Sequence, residues 1–249
     1  MPLLQRNLEE ATASEILSWA LETFGAEFAI STSFQAEGMV IVDMAARLAK
    51  KPRVMTLDTG RLPAETYQMI ETVRERYGIA VEMVFPDAAE VESMVVRHGP
   101  NLFYQEIAKR MLCCNIRKVR PLDRKLRGLK AWAVGLRRSQ SESRDEVLKV
   151  DLEAKPVKIS PLADWSREQV DNYIRENDVP LHPLYARGYT SIGCDPCTRA
   201  VAAGESERAG RWWWEQDADK ECGIHFTADG RAQRTVDVLL EEVLGSRRA

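Results

Sequence analysis

The feature that most restricts the fold of this chain is an alternation: before Val150, short apolar runs with strand character are separated by stretches with helical spacing. Thr12-Ala-Ser-Glu15 is spaced as a capping box and opens a helix with apolar positions at Ile16, Trp19, Ala20 and Phe24. Gly25 is placed to end it. Phe28-Ala-Ile30 reads as a short buried strand, followed by a polar turn and a helix from Glu37 to Lys50. Val54-Met-Thr-Leu57 is a second strand. It leads to a helix from Pro63 to Tyr77, with proline at its start and Gly78 at its end. Val81 to Phe85 is a third strand, followed by a helix from about Ala88 to Arg97, and Ala131 to Val134 is a fourth strand. Strands separated by helices of this length predict an α/β fold, with a parallel sheet covered on both faces.

Ser166 to Asn177 reads as a further helix, with Ser166 and Gln169 spaced as a capping box. From about Pro180 to Phe226 the chain holds Pro, Gly, Tyr, His, three consecutive Trp and three of the five cysteines. That composition predicts an irregular layer over the sheet rather than another βα unit. Val236 to Leu244 reads as a closing amphipathic helix. The expected organisation is one domain, with residues 1–179 as the α/β core and residues 180–249 as the C-terminal segment. In such folds ligands bind beyond the carboxyl ends of the strands, near the switch in strand order. The loops at Ser31 to Gly38, Asp58 to Arg61 and Gly135 to Arg144 are therefore the ones expected to meet a ligand.

Composition narrows the class. With 249 residues, the chain can bury a core without disulfide staples. Met1 to Glu10 holds no apolar stretch of signal-peptide length, and no segment approaches a membrane span. The expectation is a cytoplasmic protein, where thiols stay reduced. A formal net charge of −3 argues against nucleic-acid and membrane partners, and a homo-oligomer stays open. Between Lys109 and Lys149 basic residues outnumber acidic ones roughly threefold. Most of those around Arg117 to Lys130 are expected on a solvated helix face, with a few lining an anion-binding cleft.

The cysteines are Cys113, Cys114, Cys194, Cys197 and Cys222. Buried small hydrophobes, a disulfide pair, zinc and an iron–sulfur cluster are the readings available. Gly193-Cys-Asp-Pro-Cys-Thr198 is a tight turn rather than a strand core. Zinc prefers two chelating pairs with two to four intervening residues, which adjacent Cys113 and Cys114 do not supply. A cubane cluster spreads its thiolates over separate irons, so adjacent cysteines can each take a corner. One [4Fe-4S] cluster on Cys113, Cys114, Cys194 and Cys197 would leave Cys222 free. With His225 three residues on, Cys222 is then a candidate nucleophile, because a nearby imidazolium would depress its pKa.

Cys-Cys, then C-x-x-C, then Glu221-Cys-Gly-Ile-His225 resembles the assimilatory adenylyl-sulfate reductases, the cluster-containing branch of the sulfonucleotide reductases. Supporting stretches are Leu57-Asp-Thr-Gly-Arg-Leu62, Cys113-Cys-Asn-Ile-Arg-Lys118, Gly135-Leu-Arg-Arg-Ser-Gln140, Gly188 to Arg199 and Arg208-Ala-Gly-Arg-Trp-Trp-Trp-Glu215. The resemblance implies an adenine-nucleotide α-hydrolase-like parallel sheet. It also implies attack of Cys222 on the sulfur of adenylyl sulfate, release of AMP, and resolution of the S-sulfocysteine by thioredoxin or a glutaredoxin-like reductant. Lys118 matches a lysine between cluster and substrate. Arg144, Arg208 and Arg211 match substrate-site arginines, and Ser31 and Ser33 are expected to cradle a phosphate. The turn after the first strand departs from the Ser-Gly-rich form of relatives, having Phe34-Gln35 instead.

The same chemistry on 3′-phosphoadenylyl sulfate is the nearest alternative. An ATP-dependent tRNA-thiolating enzyme would need a Ser-Gly-Gly-x-Asp-Ser loop, which Ser31 to Gly38 lacks. A non-enzymatic iron–sulfur sensor would leave Cys222, His225 and the arginines without a use. Trp212 to Trp214 are expected to pack rather than stack on a nucleotide.

Overall fold

The structure is a computed structural model that describes residues 3–141, 144–215 and 230–245. Its elements run α1 (Leu3–Glu10), α2 (Ala13–Phe24), β1 (Phe28–Ser31), α3 (Ala36–Leu48), β2 (Val54–Leu57), α4 (Ala64–Tyr77), β3 (Val81–Val84) and α5 (Ala88–His98). There follow α6 (Ile107–Cys114), α7 (Arg120–Leu126), β4 (Ala131–Ala133), β5 (Val150–Asp151), β6 (Val157–Ile159), α8 (Arg167–Glu176) and α9 (Gly230–Gly245).

The strands form one sheet in the order β3-β2-β1-β4-β6-β5, parallel except for β5, which runs against β6 at the edge. The expected parallel sheet is present, and the β5–β6 hairpin extends it. Neither strand exceeds three residues, too short for a sequence period to register. The chain winds outward from β1 to β3, then returns to the other side of β1 with β4. This puts the switch in strand order between β1 and β4.

Alternation along the strands sorts side chains onto two faces. Phe28, Ile30, Val54, Ala131 and Ala133 share a core with Ile16 and Leu17 of α2, Val40 and Ile41 of α3, Met69 and Val73 of α4 and Val170 of α8. Ala29, Met55, Trp132 and Val134 point the other way, onto Leu122 of α7. A third cluster joins Met94, Phe103, Leu112 and Val243 to Cys114, Cys194, Cys197 and Trp212. Its members come from α5, the short turn before α6, α6 itself, α9 and the C-terminal layer.

The local signals operate as their chemistry dictates. Both capping boxes form, at Thr12 with Glu15 and at Ser166 with Gln169. Gly78 ends α4 at φ 65°, in the left-handed region glycine adopts without penalty. The solvated-face expectation holds for Arg124, Arg127 and Lys130 but fails for Arg117. Arg117 is buried and donates to the Thr59 carbonyl at 2.6 Å, so its charge serves a loop rather than the surface.

Candidate active site

A cavity of about 210 Å³ lies beyond the carboxyl ends of β1, β2 and β4. Ser31, Thr32 and Ser33 enter it from β1 and its loop, Thr56 and Leu57 from β2, and Trp132 and Val134 from β4 and the residue after it. This is the switch point, where the loops leaving β1 and β4 diverge and open a crevice.

The loop after β1 is tightly specified. Phe34 is fully buried at φ 58°, a conformation uncommon for a bulky residue, and its amide donates to the Thr32 hydroxyl at 2.9 Å. A Cβ on Gly38 would stand 2.3 Å from that same hydroxyl oxygen, so only glycine lets α3 approach the loop this closely. Gln35 accepts from the Ile192 amide at 2.8 Å and donates to the Ser33 hydroxyl at 2.9 Å, tying the loop to the C-terminal layer. The Phe34-Gln35 departure therefore has a structural use.

Four cations also line the cavity: Lys118, Arg144, Arg208 and Arg211. Arg144 donates to the side-chain oxygen Oε1 of Gln140, and Nε2 of the same side chain donates to Glu37 at 3.1 Å. Glu37 is paired with the buried Arg137 at 2.8 Å. Arg211 lies flat over Gly193, where a Cβ would come within 2.4 Å of Nη2. Its Nη1 donates to the Ser191 hydroxyl at 3.4 Å, and its Nε is buried with no hydrogen-bond partner among the described residues. Burial, reinforced by the charge of Glu37, pushes the Glu207 carboxyl up, against the pull of Arg137, Arg167 and Arg208.

Beside this cavity is a second, narrower cleft lined by Cys113, Cys114, Cys194 and Cys197, together with Arg110, Arg117, Lys118 and Trp212. Cys113 and Cys114 end α6, which runs directly into a π-helical turn at Asn115–Val119 carrying Lys118. Such turns recur at functional sites because they re-aim side chains without ending the helix. Cys194 and Cys197 bracket a short 3₁₀ turn. Thr198 fixes that turn by accepting from the Gly193 amide at 3.1 Å and donating to the Cys194 carbonyl at 3.0 Å. The Asp195 amide donates to the Arg61 carbonyl at 2.8 Å, and Tyr104 donates to the Pro196 carbonyl at 2.8 Å.

The thiols differ electrostatically. Burial pushes Cys113 and Cys197 up to about 12, and the neighbouring cysteines push in the same direction. Burial raises Cys194 too, but the charge of Lys118, the Thr59 hydroxyl 3.2 Å away and the charge of Arg211 outweigh it and hold the thiol below its ordinary value. Cys194 and Lys118 line both the cavity and the cleft, so the two share a wall.

Six residues expected around a substrate, Ser31, Ser33, Lys118, Arg144, Arg208 and Arg211, meet in one cavity, and the four expected cluster cysteines meet in one cleft. Cys222 and His225 lie outside the described residues. Thr32, Gln35, Thr59, Glu37, Gln140 and Thr66 also line the cavity and were not anticipated individually. Thr32 to Glu37 and Gln140 fall within the loops singled out from the sequence, but polar residues in a loop carry no signal of which way they point. Trp212 and Trp214 pack as expected, whereas Trp213 is exposed. Trp212 is buried, with Arg110 and Arg211 at 4.5 and 4.6 Å from its ring centroid, and Trp214 packs on Tyr104 at 4.5 Å.

Comparison with known proteins gives a consistent result. The phosphoadenosine phosphosulfate reductase domain matches residues 27–200. The adenosine 5′-phosphosulfate reductase of Pseudomonas aeruginosa (strain UCBPP-PA14) is 46% identical over 233 residues, covering 90% of this chain and 86% of that protein. The chloroplastic 5′-adenylylsulfate reductase 3 of Arabidopsis thaliana is 45% identical over 233 residues, 89% of this chain, which spans 50% of that protein's length. Among solved structures, the phosphoadenylyl-sulfate reductase of Candida auris in its phosphate complex superposes with a TM-score of 0.66 at 30% identity, over 80% of this chain and 94% of that one. With the fold, the switch-point cavity and these relatives in agreement, the chain belongs to the phosphoadenosine phosphosulfate reductase family, the sulfonucleotide reductases.

Proposed function

We propose that this chain reduces adenylyl sulfate to sulfite and AMP, with Cys222 as nucleophile and thioredoxin or a glutaredoxin-like protein as reductant. The observation that carries the reading is the shared wall. One cavity is lined by strand-end hydroxyls together with Lys118, Arg144, Arg208 and Arg211, and it touches the four-thiol cleft through Cys194 and Lys118. An adenine nucleotide bearing adjacent phosphate and sulfate groups matches that lining. The identity of the relatives, adenosine 5′-phosphosulfate reductases, favours the same substrate.

In this reading the Cys222 thiolate attacks the sulfate sulfur. A sulfur–sulfur bond forms, the bond from sulfur to the bridging oxygen breaks, and AMP leaves with that oxygen. A thioredoxin thiolate then attacks Sγ of Cys222 and sulfite departs. The second thioredoxin thiol resolves the mixed disulfide, supplying the two electrons. His225 is proposed to favour the Cys222 thiolate, and the cavity arginines and Lys118 to hold the anionic groups in line for attack.

The cleft suits an iron–sulfur cluster. Among the described residues no His, Cys, Asp or Glu side chains group as ligands for a single metal ion. The donors lining the cleft are thiols alone, cations stand at its rim, and the Trp212 indole N–H is buried there without a hydrogen-bond partner among the described residues. Cys113, Cys114, Cys194 and Cys197 would hold one [4Fe-4S] cluster, an anionic centre whose chemistry is to shape the field on the adjacent substrate. The Candida auris relative, a phosphoadenylyl-sulfate reductase, supports a second reading in which the 3′-phosphorylated nucleotide is also accepted. Anaerobically purified protein supplied with reduced thioredoxin should form sulfite and AMP in equal amounts from adenylyl sulfate, at higher kcat/KM than from the 3′-phosphorylated form. No sulfite from either nucleotide would refute the proposal.

A further inference from the structure

His182 is fully buried, and the function described above makes no use of it. Its ring spans two contacts. Nδ1 accepts the Leu184 amide N–H at 3.3 Å, and Nε2 lies 3.1 Å from the Thr66 hydroxyl. An amide N–H can only donate, so Nδ1 must carry the lone pair, and in the neutral ring the proton belongs to Nε2. Nε2–H then donates to the Thr66 oxygen. Burial holds the ring neutral by pushing its pKa down, against the weaker upward pull of Glu65.

A hydroxyl that accepts from Nε2–H still has its own hydrogen to place. Thr72, on the same helix, gives its hydrogen to the Gln68 carbonyl one turn back at 2.9 Å. Thr66 makes no such bond, and among the described residues its hydroxyl touches no hydrogen-bonding group but His182. Thr66 is buried and lines the cavity that holds Ser33 and Arg211. We propose that Thr66 is a substrate-contacting hydrogen-bond donor and that His182 is the positioning residue that sets the direction of its hydroxyl. The ligand atom it takes is a nucleotide oxygen acting as acceptor. A neutral donor of fixed direction complements the charges of Lys118, Arg144, Arg208 and Arg211 in the same cavity. This inference rests on the sulfonucleotide reading of the cavity.

Three measurements test it. Kinetics on Thr66→Val and Thr66→Ser should separate hydroxyl from shape: valine should lower kcat/KM for adenylyl sulfate about tenfold or more, and serine should keep most of it. AMP affinity measured by calorimetry should fall in parallel if the acceptor belongs to the AMP moiety, and hold if it belongs to the sulfate; either result agrees with the proposal. In the wild-type protein, the nitrogen–proton correlation spectrum should report His182 as the neutral Nε2–H tautomer near pH 7, its resonance assigned by loss in His182→Asn. An active wild type with an equally active Thr66→Val, equal losses in valine and serine, or an Nδ1–H or doubly protonated His182 would each overturn it. A wild type inactive on both nucleotides would instead remove the functional reading on which it rests.

Discussion

The sheet and the C-terminal layer are held by different physics. In the sheet, Phe28, Ile30, Val54, Ala131 and Ala133 sit in a dry core with α2 and α3, and no single hydrogen bond decides their position. In the layer, the Cys194–Cys197 turn is placed by named polar contacts from Thr198, Arg61, Tyr104 and Thr59. The buried Arg110–Glu215 pair at 2.9 Å closes the far side of the cleft. Packing tolerates small losses spread over many atoms, whereas a turn placed by a few directional bonds has definite points of failure. The substrate cavity lies where the two regions meet, and variants on either side separate stability from function.

The largest effect belongs to the thiols. Cys194→Ser should lose iron and nearly all turnover while the far-ultraviolet circular dichroism of the sheet and its helices persists. Iron per chain and sulfite production measured together check this, and an active iron-free variant would contradict it.

Next is a matched pair. Ile41→Ala opens a cavity in the core and should cost about 2–5 kcal/mol of unfolding free energy with AMP affinity unchanged in the folded protein. Glu215→Ala removes the carboxylate partner of a buried guanidinium and should cost about 3–5 kcal/mol, accompanied by loss of iron, because Arg110 also stacks on Trp212 beside the thiols. Denaturant titration with iron analysis distinguishes the two. Equal iron loss in both would erase the distinction between the regions.

A smaller effect is expected at Gly193. Gly193→Ala puts a methyl group against Arg211 and should raise KM for adenylyl sulfate about tenfold with the melting temperature nearly unchanged. Steady-state kinetics beside a melting curve check it.

The smallest effect lies in the core and is read through pH. Tyr77 donates to Asp43 at 3.0 Å, and burial, with Asp43's charge, pushes its pKa from 10.0 up to about 12. The folded value is above the unfolded one, so the contribution is fully present below pH 10 and is lost as pH rises toward 12. Partial exposure and the nearby Arg76 limit it to about 1 kcal/mol. Tyr77→Phe should flatten that alkaline limb in a pH series of unfolding curves while leaving activity unchanged.

How far the sequence carried differs between the regions for the same reason. Where burial is periodic, boundaries were legible: Val54–Leu57 forms the strand expected of it, and α4 begins just after Pro63 and ends at Gly78. The β5–β6 hairpin was not legible, since Val157-Lys-Ile159 is too short to show a period and its pairing to β4 is long-range. Within the site, residue type and spacing carried Cys113, Cys114, Cys194 and Cys197, whereas Lys118, Arg144, Arg208 and Arg211 were singled out only through the family resemblance, because a cation in a basic stretch carries no mark of which way it points. Thr59, Gln35 and Thr66 stayed hidden. A threonine's role depends on which neighbour takes its hydrogen, and that neighbour lies far away in sequence, as His182 does for Thr66.

The central claim is that Cys222 attacks sulfur beside a thiol-bound cluster. Mixing anaerobic enzyme with adenylyl sulfate in the absence of any reductant tests it most directly. The account predicts release of one AMP per active site followed by arrest, with SO3 found by mass spectrometry on the peptide containing Cys222. Cys222→Ser should retain iron and bind AMP, yet form no adduct. Continued turnover by Cys222→Ser, or an adduct on Cys113 or Cys197, would contradict the division of the five cysteines into four ligands and one nucleophile.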